Sequence, residues 1–96
     1  DRAGLNGPIQ IGNIQPSTFN DHFTVSFEAS NMDAVTVTLF TREGKSVKQE
    51  TILPQIGKNQ HTFDSLSGLA AGIYFVRIQN GKSSDTKKII KINSIF

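Results

Sequence analysis

The stretch Ile73-Tyr74-Phe75-Val76-Arg77-Ile78-Gln79-Asn80-Gly81 decides how the chain reads. Side chains alternate along an extended segment, so Tyr74, Val76 and Ile78 share one face and Ile73, Phe75 and Arg77 the other. Apolar residues on both faces predict a strand in the middle of a sheet. Asn80-Gly81 is a favoured two-residue hairpin turn and predicts an antiparallel partner over residues 86–92. In that partner Lys88, Ile90 and Ile92 lie on one side and Lys87, Ile89 and Lys91 on the other.

The same alternation recurs upstream at intervals of roughly ten residues, bounded by Gly, Asn, Asp, Ser or Pro, as in an all-β sandwich or barrel. Ile9 and Ile11 share a face before a break at residues 12–16. Phe23, Val25 and Phe27 point one way, and His22, Thr24, Ser26 and Glu28 the other. Val35, Val37 and Leu39 oppose Thr36, Thr38 and Phe40. Arg42-Glu43-Gly44-Lys45 then supplies a hairpin turn in which Gly44 takes a positive φ. Val47, Gln49 and Thr51 alternate with Lys48, Glu50 and Ile52, and such mixed faces suit a strand near an edge. After Pro54 and Gly57, residues 61–64 form a short strand that carries Phe63 inward, and residues 65–72 are a loop. No stretch has helical spacing. Seven strands, mostly joined by hairpins, predict an all-β, immunoglobulin-like, seven-stranded antiparallel β-sandwich. The chain has no cysteine or tryptophan, so the disulfide and buried indole of antibody domains are missing.

A length of 96 residues fits one core. Residues 1–8, with Gly4, Gly7 and Pro8, read as the end of a linker, and residues 9–96 as the domain. An opening at Asp1 rather than Met suggests a piece of a longer protein, with any export signal on the preceding part. A net charge of +2 is too mild for a nucleic-acid binder. No run approaches the roughly eighteen apolar residues of a membrane helix, and no charged start followed by an apolar stretch reads as a signal peptide. Without cysteine, neither disulfides nor a thiolate metal site can hold the fold.

Motifs of catalysis are missing. The two histidines, His22 and His61, fall on faces away from the inward Phe23 and next to Phe63, where a solvated or loosely packed imidazole explains each. Asp64-Ser65-Leu66-Ser67-Gly68 lacks the Gly-x-Ser-x-Gly elbow that exposes a serine nucleophile. The eight carboxylates make no pair suited to glycoside hydrolysis. Asp21, Asp33, Asp64 and Asp85 stand singly, as turn-capping residues do, and no calcium loop or phosphate-cradling glycine loop appears. No metal or cofactor is expected, and the domain is read as no enzyme. The late lysines are either solvated edge residues, or Lys87, Lys88 and Lys91 form a basic stripe for docking to an acidic partner.

Leu69-Ala70-Ala71-Gly72-Ile73-Tyr74-Phe75-Val76-Arg77-Ile78, followed by Lys87-Lys88-Ile89-Ile90-Lys91, resembles the C-terminal sorting domain, type A, of the type IX (Por) secretion system of Bacteroidetes. A Gly-x-Tyr-x-Val strand, a turn and a Lys-Lys-x-x-Lys ending come in that family's order. Phe40-Thr41-Arg42-Glu43-Gly44-Lys45-Ser46-Val47 is similar to its aromatic-Asp-x-x-Gly-Lys-x-Val hairpin, with Thr41 in place of Asp, and Gln15-Pro16-Ser17 stands where Pro-Asn-Pro is usual. Residues 93–96 run past the expected lysine-rich finish.

The resemblance implies a non-catalytic secretion signal that crosses the periplasm, is read by the outer-membrane translocon and is clipped off by a sortase-like peptidase. Its upstream cargo then stays at the cell surface or is released. It also implies that residues 72–92 carry the signal, with Gly72, Tyr74, Val76, Lys87, Lys88, Ile90 and Lys91 as recognition residues and Gly44 and Lys45 as the motif turn. An adhesive or carbohydrate-binding sandwich is the alternative, disfavoured by the lack of Trp and a lone Tyr. Open sheet edges leave room for a dimer by strand pairing.

Overall fold

The structure is a computed structural model that describes residues 9–81 and 83–92. The linker expected over residues 1–8, Lys82 and residues 93–96 lie outside the described residues. The strands are β1 (Gln10–Gln15), β2 (Thr18–Phe19), β3 (Phe23–Ala29), β4 (Val35–Thr41), β5 (Ser46–Ile52), β6 (Gly57–Phe63), β7 (Gly72–Asn80) and β8 (Ser83–Lys91). Two sheets result, one ordered β1-β3-β6 and the other β2-β8-β7-β4-β5. Each sheet turns one apolar face to the other, and the chain changes sheets between β1 and β2, β2 and β3, β3 and β4, β5 and β6, and β6 and β7. Such alternation between layers is the pattern of immunoglobulin-like sandwiches.

The inward residues are those that alternation selects. Phe23, Val25, Phe27 and Ala29 of β3, Val35, Val37 and Leu39 of β4, and Tyr74, Val76 and Ile78 of β7 are all buried. An edge-to-face aromatic chain spans the two sheets. Phe23 meets Phe19 at 5.0 Å and Phe63 at 5.4 Å between ring centroids, and Phe19 meets Tyr74 at 6.2 Å. These geometries place the positive edge of one ring on the negative face of the next, which adds to simple burial.

Three expectations are corrected. There are eight described strands rather than seven, because Thr18 and Phe19 form a two-residue strand parallel to β8. The sheets are therefore not wholly antiparallel, and Phe19, fully buried, belongs to the core. Residues 61–64 are the end of a longer strand, β6, whose inward Gly57, Asn59 and His61 are not apolar. Backbone pairing with β3 carries that segment, so no hydrophobic alternation marks it. Finally, Asn80 pairs with Ser83, so the β7–β8 turn begins at Gly81, one residue later than expected. Asn80 stays in the strand because its amide exchanges hydrogen bonds with Asn31 at 3.2 Å and donates to Asp33 O at 3.0 Å. Gly81 has a φ of +61°, the sign that primed hairpin turns require at their first central residue.

Edges are blunted by distinct means. Gly12 is an extra residue in β1 between the pairs Ile11–Phe27 and Asn13–Ser26. This bulge reverses the parity beyond it, so Ile14 packs against the core beside Ile11. Val47 is likewise an extra residue in β5, which lies at the edge of its sheet as expected. His61 departs from its expected solvated state: its ring stands edge-on to Phe63, and Nε2 meets the Glu50 carboxylate, joining β6 to β5. Lys48 Nζ donates to Asp64 O at 3.1 Å on the same side. Across the sandwich, Asp85 is no turn cap but sits within β8, where its carboxylate accepts from Ile11 N at 2.8 Å and Thr86 N at 3.0 Å. Side-chain bonds thus bridge the two sheets on both open sides.

Removing the central ring of the aromatic chain tests this account. Phe23→Ala is expected to lower unfolding free energy by about 3–5 kcal/mol, measured by urea denaturation with an unchanged m-value.

Candidate functional site

The terminal hairpin, β7 with β8, is the candidate site, and its register assigns every side chain to a face. Tyr74 pairs with Ile89, Val76 with Lys87, Phe75 with Lys88 and Ile73 with Ile90. Ile89 is buried, so Lys88 and Ile90 on its flanks must face outward, and both are exposed. Lys87 is exposed on the inward-alternating side. Lys91, on that same side, is buried: its Nζ donates to Ile92 O at 2.8 Å and to Asn20 Oδ1 at 3.5 Å.

The expected stripe of Lys87, Lys88 and Lys91 therefore does not form on one face. An alternating strand cannot put neighbours Lys87 and Lys88 on the same side, and Lys91 closes the end of the core against the β2–β3 connection. Ile90 N and Ile92 N donate to Ser17 O and Phe19 O, at 3.3 and 2.8 Å, which fixes the same end of the strand.

Tyr74 and Val76 are also interior residues, 6 % and 0 % exposed. The Tyr74 hydroxyl donates to Ala70 O at 2.7 Å, the tyrosine corner of immunoglobulin-like sandwiches, and ties the start of β7 to the preceding loop. Gly72 begins the strand with a φ of +149°, a region open to glycine and strained for other residues. The motif turn at Gly44 and Lys45 is a tight hairpin. Gly44 N donates to Thr41 O at 2.9 Å and Thr41 N to Lys45 O at 2.8 Å, with Gly44 at φ +92°. Thr41, where the family has Asp, still serves the turn, because its hydroxyl accepts from Lys45 N at 3.1 Å.

Several residues that the sequence did not single out as recognition residues stand beside Lys88 and Ile90. Ile73 and Phe75 of β7 and Phe40 of β4 are outward, half-buried and adjacent in register. The Arg77 guanidinium lies 4.8 Å from the centroid of the Phe40 ring. An open depression of about 300 Å³ lies among Phe40, Arg42, Phe75 and Arg77. The signal for this patch is present in the sequence as an apolar second face of β7, Ile73-x-Phe75, which a central strand explains equally well.

The outward face of the other sheet has a different composition. Thr24, Ser26 and Glu28 of β3 and Lys58, Gln60 and Thr62 of β6 lie there, without a large apolar residue. Among the described residues no three of His, Asp and Glu are gathered where they could hold a metal, and no helix is long and apolar enough to cross a membrane. Gly72→Ala is expected to cost about 1–3 kcal/mol of stability, read as a lower thermal midpoint, although nothing stands within 4 Å of the added methyl group.

A family model, the secretion system C-terminal sorting domain, matches residues 13–93. No curated protein matches the chain. The matched span runs from β1 through the whole of the β7–β8 hairpin, with its tyrosine corner and outward Lys88 and Ile90. The chain belongs to the family of C-terminal sorting domains that mark proteins for type IX secretion.

Proposed function

We propose that this sorting signal is read in its folded form, through the outward face of the five-stranded sheet around β7 and β8. The observation that carries the reading is the division of labour within the terminal motif. Gly72, Tyr74, Val76 and Lys91 hold the hairpin in place, while Lys88 and Ile90 meet solvent beside Ile73 and Phe75. Recognition then follows shape and side chains that only the folded strand pair brings together. The domain crosses the periplasm attached to its upstream cargo, engages the outer-membrane translocon by this face, and is removed at the surface by a sortase-like peptidase. It performs no chemistry of its own.

Two subsidiary readings follow from the edges and the aromatic residues. With bulges in β1 and β5 and a two-residue β2, pairing between copies would run through β6 or the part of β8 that β2 leaves uncovered. Sugar binding has little support, because Arg77 caps the outward Phe40 ring that would have to serve as a stacking platform.

The test is a fusion of residues 1–96 behind a periplasmic reporter in a type IX host, with and without residues 87–96. The intact fusion is expected at the cell surface and the shortened one in the periplasm. Surface delivery of the shortened form at the level of the intact one would refute the reading.

A further inference from the structure

The outward face of the five-stranded sheet is one-sided in charge. Its register positions are Thr36, Thr38 and Phe40 on β4, Ser46, Gln49 and Thr51 on β5, Ile73, Phe75, Arg77 and Gln79 on β7, and Ser84, Thr86, Lys88 and Ile90 on β8. Arg77 and Lys88 are cations, and no carboxylate stands among these described positions. The carboxylates of the same strands, Glu50 and Asp85, fall on the inward-alternating side, where they engage His61 and Ile11 N. Arg42, exposed in the hairpin turn, borders the same depression, and Glu43 lines a second hollow that shares Thr41 and Arg42 with the first and runs along Ala70, Gly72 and Ile73 at the margin of the face.

Arg77 and Lys88 occupy diagonal positions on paired strands, roughly 7–8 Å apart. Between and beside them lie Phe75, Ile73 and Ile90. The Arg77 guanidinium rests over the Phe40 ring, which orders it without using the N–H donors along its edge. An ordered guanidinium can donate two parallel hydrogen bonds to one carboxylate, and a lysine ammonium beside it supplies a less directional charge. Apolar and cationic groups thus lie side by side on a flat surface.

Resting on the proposed reading of this face as the recognition surface, we infer that its partner is an acidic segment of the translocon that sets an apolar side chain on Phe75 and Ile73 and carboxylates on Arg77 and Lys88. A protein segment fits better than an anionic lipid surface. Lipid recruitment relies on clusters of roughly four to eight cations, and among the described residues this face holds two with Arg42 at its margin. Burying its half-exposed apolar row against a partner supplies affinity, and the two cations supply orientation and exclude basic partners.

The experiment uses the full chain with its cargo in a type IX host and compares five forms: unaltered, Arg77→Glu with Lys88→Glu, Lys88→Glu alone, Lys58→Glu on the opposite outer face, and a deletion of residues 87–96. Surface delivery of the double variant is expected to fall about tenfold or more, with Lys58→Glu unchanged. Lys88→Glu alone, at an exposed position away from the core, is expected to show a smaller fall with an unaltered thermal midpoint, which separates recognition from folding. Delivery of the double variant within about twofold of the unaltered chain would overturn the inference, and if the deletion still blocked export the reading of the face would survive. Export of the deletion form would instead overturn that reading as well. Flotation of the unaltered protein with vesicles rich in anionic phospholipid, lost in the double variant, would reassign the face to lipid and equally overturn the inference; no co-flotation is expected.

Discussion

The pairing of Tyr74 with Ile89 is the constraint on which the rest of the terminal hairpin depends. Both side chains are buried, one against the Phe19 ring and both within the common core. Because strand side chains have a period of two, that one pair decides the destination of every neighbour. Lys88 and Ile90 must face outward, Lys91 must enter the interior, and a slip of one residue would bury Lys88 and expose Ile89. Burying an ammonium there without partners would be far costlier than the native arrangement, so the core enforces the register.

A sandwich without disulfides has to close its open sides by other means. Here Glu50 with His61 and Lys48 with Asp64 O join the sheets along one side, and Asp85 with Ile11 N along the other. These bonds engage the acidic side chains of β5 and β8 away from the outer face. The same economy of charge that ties the layers together leaves Arg77 and Lys88 on a surface with no acid among the described positions. On the proposed reading, structure and recognition are linked through the placement of a few carboxylates rather than through a dedicated cavity.

Alternation made the inward faces of β3, β4 and β7 legible in the sequence, since Phe23, Val25, Phe27, Val35, Val37, Leu39, Tyr74, Val76 and Ile78 are buried as their period requires. Gly44 was legible too, and adopts a positive φ. Segments without a hydrophobic period were harder. β6 presents Asn59 and His61 inward, and β2 is only two residues long, so neither leaves a periodic trace. The bulge at Gly12 shifts parity within β1, which no count of alternating residues can anticipate from that strand alone. The candidate site was partly legible: the terminal motif marks the β7–β8 hairpin, but a run of lysines conceals that Lys87, Lys88 and Lys91 end in three different environments. That Phe40 shares a cross-strand row with Lys88, on the far side of Phe75, was invisible because β4 and β8 flank β7, a relation set by sheet order.

The central claim is that one outer face of the folded domain, and not its terminal sequence as such, meets the translocon. The most direct measurement is photo-cross-linking in a type IX host, with a photoreactive residue placed in turn at Thr86 and Gln79 on this face and at Gln60 and Thr62 on the opposite one; all four positions are exposed. The account predicts adducts with outer-membrane translocon proteins from Thr86 and Gln79 and none from Gln60 and Thr62. Equal adducts from both faces, or adducts from Gln60 and Thr62 alone, would contradict it.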